Sequence, residues 1–236
     1  MRGSIYATDY LTNNARELVR FKERFIEDAE TLNFLLDVEW QLCSFYIQCT
    51  NVNPVIMVAI QNVHRYHIKA LIFGIENEPT LALAILRIAC ELSRDILRMM
   101  DNQSLISIWL DKTSSGEQKR RQSFRFNTSD DFEKMLKDAY DLACSWGVHC
   151  HITIPGDATQ TFQHNEKGYT AFDSDESISK KNIKVIAQVI EAHTYLCLLK
   201  LRQKITSQQD RGLATEFAQF GMEFSEIMGL SAKLFP

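Results

Sequence analysis

The stretch from Leu81 to Met100 constrains the fold more than any other part of the chain. It reads LALAILRIACELSRDILRMM. A period of 3.6 residues places apolar side chains over roughly two thirds of the circumference of such a helix. A helix that is apolar over so much of its surface needs neighbours on several sides. We therefore predict that this helix lies at the centre of a helical bundle.

The charged residues of the same stretch gather on the remaining third of the helix. They are Arg87, Glu91, Arg94, Asp95 and Arg98. Charged stripes usually face water, so we expect Arg94, Asp95 and Arg98 to lie on a solvated edge with local ion pairs. For Arg87 and Glu91 two interpretations stay open, a solvated edge and the wall of a site.

The composition also favours helices. The chain has 236 residues with only 9 glycines and 4 prolines, which disfavours a turn-rich sandwich or barrel. Hydrophobic residues make up 45% and charged residues 24%, as in globular proteins with a core. No repeat or Pro/Ser-rich linker is visible. We predict one all-α domain over residues 1–236, a multi-helix bundle with one irregular excursion, which allows a small hairpin, near residues 149–175.

Proline, glycine and capping residues indicate where the helices begin and end. Pro54 and Pro79 suit first helical turns, and Gly74 is expected to close the helix that Pro54 opens. Thr128 or Ser129 is expected to cap a later helix, after a polar insert at 111–129. We predict helices over about residues 15–47 (one long or two in succession), 54–73, 79–100, 104–110, 128–147 (closed by Gly147), 181–204 and 208–229.

The chain carries six cysteines without a CxxC pair, no signal-like N-terminus and no apolar run long enough to span a bilayer. We therefore expect a cytoplasmic protein with reduced thiols and no membrane partner. The initial MRGS carries no functional weight. Net charge is -4, so no overall positive field draws the protein to nucleic acid.

Four ionisable residues occupy apolar faces of three predicted helices. They are Glu39, His64, His67 and His193. Each alone is compatible with a core residue that has a hydrogen-bond partner. Together they predict one polar pocket inside the bundle, which is where helical bundles build sites.

Metal and cofactor motifs are weak. His149 and His151, with Cys150 and Cys144, supply metal-ligand atoms, but their spacing matches no zinc pattern. The sequence contains no GxGxxG, GxxxxGK[ST], GxSxG, HExxH or Glu-x-x-His. We predict no metal and no cofactor. The basic stretch EQKRRQSFRF allows contact with RNA or phosphate, and a solvated loop is the preferred interpretation.

Two segments carry a resemblance. AILRIACELSRDIL resembles a helix with Arg-x-x-x-Glu in uncharacterised bacterial all-helical proteins, and AYDLACSWGVH resembles their later helix end through Tyr140, Ser145 and His149. The resemblance implies a helical fold with Arg87, Glu91 and His149 near one another, and it adds Tyr140 to the candidate ligand pocket. The HEPN group of helical ribonucleases and defence proteins is a neighbouring possibility. Its arginine and histidine, four to six residues apart on one helix, are not found in this sequence.

Two functions follow as hypotheses. The first is a non-enzymatic binding module for an unknown small molecule or protein, and a homo-oligomer is compatible with it. The second is a HEPN-like ribonuclease or phosphoryl-transfer enzyme in stress or phage defence. In it Arg87 would hold a phosphate, His149 would act as general acid or base, and Glu91 would orient one of them.

Overall fold

A computed structural model describes residues 16, 18–48, 53–76, 78–145, 159–164, 167–172, 176–207, 215, 217, 218, 220 and 229–235. Helices dominate this part of the chain, which confirms the predicted all-α class. The elements are α1 (Ile26–Gln48), α2 (Pro54–Ile75), α3 (Pro79–Asp101), α4 (Leu105–Leu110), α5 (Ser114–Ser123), α6 (Asp131–Ala143), β1 (Thr159–His164), β2 (Lys167–Phe172), α7 (Glu176–Ser207) and α8 (Leu230–Lys233).

The central helix is α3, as its apolar circumference predicts. It packs against α2, α6 and α7, and the short α4 covers part of its remaining side. The second helix of the centre is α7, which also contacts α1, α2, α6 and α8. The fully buried side chains of α3, among them Leu86, Ile96 and Leu97, therefore meet neighbours on several sides.

The irregular excursion contains the small hairpin that the alternating pattern allows. Strands β1 and β2 pair antiparallel, with Thr159 opposite Phe172 and His164 opposite Lys167. The two strands form a sheet of their own. The rest of the bundle contributes no strand within the described residues.

Both prolines open helices as predicted. Pro54 and Pro79 lie in the first turns of α2 and α3, where a missing N–H removes no helical hydrogen bond. Asn53 caps α2, since its Oδ1 accepts a hydrogen bond of 2.9 Å from the Val55 backbone N–H. Residues 18–24 are also helical, and backbone bonds around Phe25 join them to α1. This arrangement agrees with the prediction over residues 15–47.

Gly74 does not close α2, contrary to the prediction. The helix continues to Ile75, and the backbone N–H of Glu76 bonds to the Ile72 carbonyl at 2.8 Å. A Cβ atom on Gly74 would lie 3.1 Å from Cγ1 of Ile183 on α7. The missing side chain thus allows α2 and α7 to approach closely.

One further boundary prediction is wrong, and another is not tested. Asp130, and not Thr128 or Ser129, caps α6, because its Oδ1 accepts a hydrogen bond of 2.9 Å from the Glu133 backbone N–H. Gly147, the predicted end of this helix, lies outside the described residues.

The polar insert is not a solvated loop, since it contains helix α5. Thr113 caps this helix by accepting a hydrogen bond of 3.1 Å from the Gly116 backbone N–H, and buried Phe124 follows its last turn. Within the described residues, no helix is both long and apolar enough to cross a membrane.

Candidate functional site

The charged stripe of α3 is covered by protein, so the expectation of a solvated edge for Arg94, Asp95 and Arg98 is wrong. The Asp95 side chain is only 3% exposed, and both arginines are largely covered. Helices α4 and α5 and the segment after them lie over this side of α3. The charged groups of Arg94, Asp95 and Arg98 therefore bind other parts of the protein.

Asp95 is the most enclosed member of the stripe. Its Oδ1 accepts hydrogen bonds from Nε and Nη2 of Arg94 at 2.9 and 2.6 Å, and its Oδ2 accepts one from Nε1 of Trp109 at 2.9 Å. Burial raises the pKa of Asp95, against the lowering effect of Arg94 and Trp109. The carboxylate thus fixes the indole ring of Trp109 against α3.

Arg98 joins α3 to the segment before α6. Its Nε donates to the Arg125 carbonyl at 2.9 Å, and its Nη2 pairs with the buried carboxylate of Glu133. Arg94 lies over the ring of Phe126, 5.2 Å from its centroid. These contacts are structural and leave neither guanidinium directed at an open site.

A groove of about 560 Å³ lies where α2, α3, α4 and α5 meet. Its walls are mostly apolar, and five side chains bring polar groups to its surface. The polar side chains are Asn62, Tyr66, Glu91, Asp95 and Arg120; the other lining residues are Pro54, Val55, Val58, Ala59, Ile88, Leu92, Trp109 and Leu110.

Two of the polar side chains are available to a ligand. The Asn62 amide and the Tyr66 hydroxyl form no hydrogen bond with any described residue. They lie four residues apart on α2 and so project from the same side of the helix. Arg120 stands at the edge of the groove, with Nε 3.9 Å from Oδ2 of Asp95.

Arg87 and Glu91 form a pair beside this groove. Nη2 of Arg87 lies 3.4 Å from Oε1 of Glu91, and the guanidinium carbon lies 5.8 Å from the ring centroid of Tyr140. Burial and interactions with Cys144 and Glu91 raise the pKa of Tyr140 to about 12, so its phenol is neutral at neutral pH. Tyr140 therefore lies beside Arg87 and Glu91. His149, the third residue of the predicted catalytic set, lies outside the described residues.

The structure brings together the four polar residues that lie on apolar faces. Oε2 of Glu39 lies 2.8 Å from Nδ1 of His64, and Oε1 lies 2.6 Å from Nδ1 of His67. Nε2 of His193 lies 3.9 Å from the same Oε1, and its ring packs edge-on to His67 at 5.7 Å. Helices α1, α2 and α7 thus meet at one carboxylate.

This cluster lies inside the bundle and is closed to solvent. The side chains of Glu39, His67 and His193 are fully buried, and that of His64 is 11% exposed. Trp40 lies over the outer side of His64, with ring centroids 5.4 Å apart. Its role as a ligand site remains a prediction.

Burial and the neighbouring groups shift the pKa values of two members of the cluster, Glu39 and His193. Burial alone would raise the pKa of Glu39, but the His67 charge and the hydrogen bonds from His64 and His67 lower it to about 2. Burial lowers the pKa of His193 to about 4. At neutral pH Glu39 is therefore a carboxylate and His193 is uncharged.

The neighbouring thiols are protonated. Burial raises the pKa of Cys43 to about 12 and that of Cys197 well above its usual range. Cys197 Sγ lies 3.8 Å from the ring nitrogens of His193, yet a thiol in this state is a poor nucleophile.

The sequence offers His149, Cys150, His151 and Cys144 as atoms that could bind a metal, without a zinc-like spacing. His149, Cys150 and His151 lie outside the described residues. Among the side chains that the structure describes, no three or more His, Cys, Asp or Glu residues are arranged to hold a metal ion.

The groove residues Asn62, Tyr66, Trp109 and Arg120 are not among the sites that the sequence predicts. The only local signal is the polar pair Asn62 and Tyr66 on one side of α2. The groove exists because α4 and α5 fold back onto α3, which no nearby residue indicates.

Comparison with known proteins gives no relative: no protein-family model, no curated protein and no solved structure matches this chain.

Proposed function

We propose that the protein is a binding module that takes a small molecule into the groove between α2, α3, α4 and α5. One observation carries the proposal: apolar walls and hydrogen-bonding side chains without described partners, Asn62 and Tyr66, meet in one concavity of about 560 Å³. Small-molecule sites combine a largely apolar lining with a few convergent polar groups, in volumes of about 300–1,000 Å³.

The lining indicates the form of the ligand. An apolar body would pack along Val58, Leu92 and the ring of Trp109, and a polar edge would meet Asn62 and Tyr66. Trp109 is held by its hydrogen bond to Asp95, so this wall is formed before a ligand arrives. A preformed wall reduces the entropy lost on binding.

The same geometry favours binding over catalysis. The oxygens of Asp95 already accept hydrogen bonds from Arg94 and Trp109, and Arg87 is paired with Glu91. The ribonuclease alternative has no observation that favours it over binding.

A screen of small aromatic fragments by chemical-shift changes in ¹⁵N-labelled protein tests the proposal. Fragments that bind should shift amide signals of α2 and α4. Val58→Trp, which places an indole in the groove from a half-exposed position, should abolish these shifts. Met135→Trp, on an exposed position of α6 outside the groove, is the matched control and should bind as the wild type does. The absence of any fragment binding to the wild type, or equal binding by Val58→Trp, would contradict the proposal.

A further inference from the structure

One face of α1 presents large apolar side chains to solvent. Ile26, Phe34, Trp40 and Ile47 are between 40% and 58% exposed. Single exposed apolar residues are common on protein surfaces, but several on one face indicate an interaction site.

The helical period places these four residues on one side. Trp40 and Ile47 are seven residues apart, two turns of helix, and Ile26 lies two such intervals before Trp40, with Asn33 midway between them. Leu35, Leu42 and Tyr46 occupy the opposite side and are buried in the core. Ile26, Trp40 and Ile47 therefore lie along one line on the outside of α1, with the exposed Asn33 between Ile26 and Trp40 and with Phe34 to one side.

Charge along this helix has a single sign. α1 contains no lysine and no arginine, whereas Glu27, Glu30 and Asp37 are exposed. Glu30 and Asp37 lie beside the apolar line, since Glu30 is four residues after Ile26 and Asp37 is three residues before Trp40. We call this combination of Ile26, Glu30, Asp37, Trp40 and Ile47 the α1 face.

We propose that the α1 face docks a basic amphipathic helix of a partner protein. An amphipathic helix binds through apolar anchors at helical spacing, which match the line of Ile26, Trp40 and Ile47. Lysine or arginine residues beside those anchors would meet Glu30 and Asp37, and complementary charge steers such encounters.

Two observations favour this occupant. A second copy bound through the same face would oppose acidic residues to acidic residues, because a two-fold contact uses one patch twice. Trp40 is already ordered by its packing over His64, and tryptophan is a frequent hot-spot residue at interfaces. The α1 face thus offers an ordered aromatic anchor, Trp40, with the acidic Asp37 three residues before it.

The test uses fluorescence polarisation with a labelled synthetic peptide. Its leucines recur every three or four residues, so that they form one face of a helix, and its lysines occupy the other positions. The full-length wild type should bind it, and a scrambled peptide of the same composition should bind about tenfold more weakly or less. Trp40→Ser and the pair Glu30→Gln with Asp37→Asn should each weaken binding by about tenfold. Leu81→Ser, and Glu117→Gln with Asp131→Asn, remove equally exposed groups elsewhere and should leave binding unchanged.

Equal binding of the scrambled peptide, or equal binding by the Trp40 and acidic-residue variants, would overturn the proposal. A wild-type dimer in sedimentation that Trp40→Ser dissociates would overturn it as well, because the occupant would then be a second copy. Ile26→Ser is a second variant of the apolar line. Ile26 is more than half exposed, so its substitution should leave the protein folded, and weaker peptide binding by this variant would report loss of docking.

Discussion

Glu39 and His67 lie 2.6 Å apart, carboxylate oxygen to Nδ1, with both side chains fully buried. Because a buried carboxylate is costly without partners, this contact and the one from His64 make the charge tolerable inside the bundle. Two contacts between ionisable side chains thereby join helices α1 and α2 inside the core.

Glu39→Ala should destabilise the protein by about 3–5 kcal/mol, since it leaves buried histidines without their acceptor. Urea unfolding followed by circular dichroism measures the change. Asp37→Ala, two residues away on the exposed side of α1, is the control and should change stability by less than about 0.5 kcal/mol. A loss of under about 1 kcal/mol for Glu39→Ala would show that the cluster contributes little.

Acid should weaken the fold in two steps. The pKa of His193 is lowered from 6.5 to about 4 by burial, so between these values the unfolded chain binds a proton that the folded chain does not, and stability falls as pH falls. Glu39, whose pKa is lowered from 4.5 to about 2, continues the loss at lower pH.

The free energy of unfolding in urea, measured from about pH 7 to about pH 4, checks this dependence. His193→Gln should flatten the part above pH 4. If the free energy of unfolding of His193→Gln depends on pH as steeply as that of the wild type, groups other than His193 cause the loss of stability.

Arg98→Met should cost about 1–3 kcal/mol, because it leaves the buried Glu133 carboxylate without its charged partner. The matched control is Arg121→Met. Arg121 forms a pair with Glu117 on the solvent side of α5, where it is 79% exposed, and such pairs contribute about 0.3–0.5 kcal/mol. Urea midpoints compare the two variants, and similar losses would contradict the assigned roles.

Gly74→Val should destabilise the protein by about 1–3 kcal/mol through overpacking between α2 and α7. The variant that also carries Ile183→Ala should lose less stability than the sum of the two single losses, because alanine lacks the Cγ1 atom that the new side chain meets. Thermal unfolding measures both. An additive loss in the double variant would place the strain elsewhere.

RNA degradation tests the enzymatic alternative. Arg87 is paired with Glu91 and packs on Tyr140, so we expect no degradation by the wild type and none by Arg87→Ala or His149→Ala. Degradation that both substitutions abolish would instead support a ribonuclease with those two residues in one site.

Part of the candidate site follows from the sequence. Glu39, His64, His67 and His193 stand out because each lies on an apolar helix face, and burying those faces brings them together. Their closure from solvent does not follow, since it depends on Trp40 and on how tightly three helices pack. The groove with Tyr66 and Trp109 has no local signal beyond the pair Asn62 and Tyr66, because its walls come from four separate helices.

The sequence by itself determined the helical class, the central place of Leu81–Met100 and the helix starts at Pro54 and Pro79, and it allowed the hairpin. These depend on periodicity and on the backbone chemistry of neighbouring residues. Only the tertiary structure decided that Asp95 and Arg98 are covered, that Gly74 serves close packing, and that a groove forms beside Glu91. The physical reason is that what covers a helix face is set by segments distant in the chain, whose approach local sequence preferences do not specify.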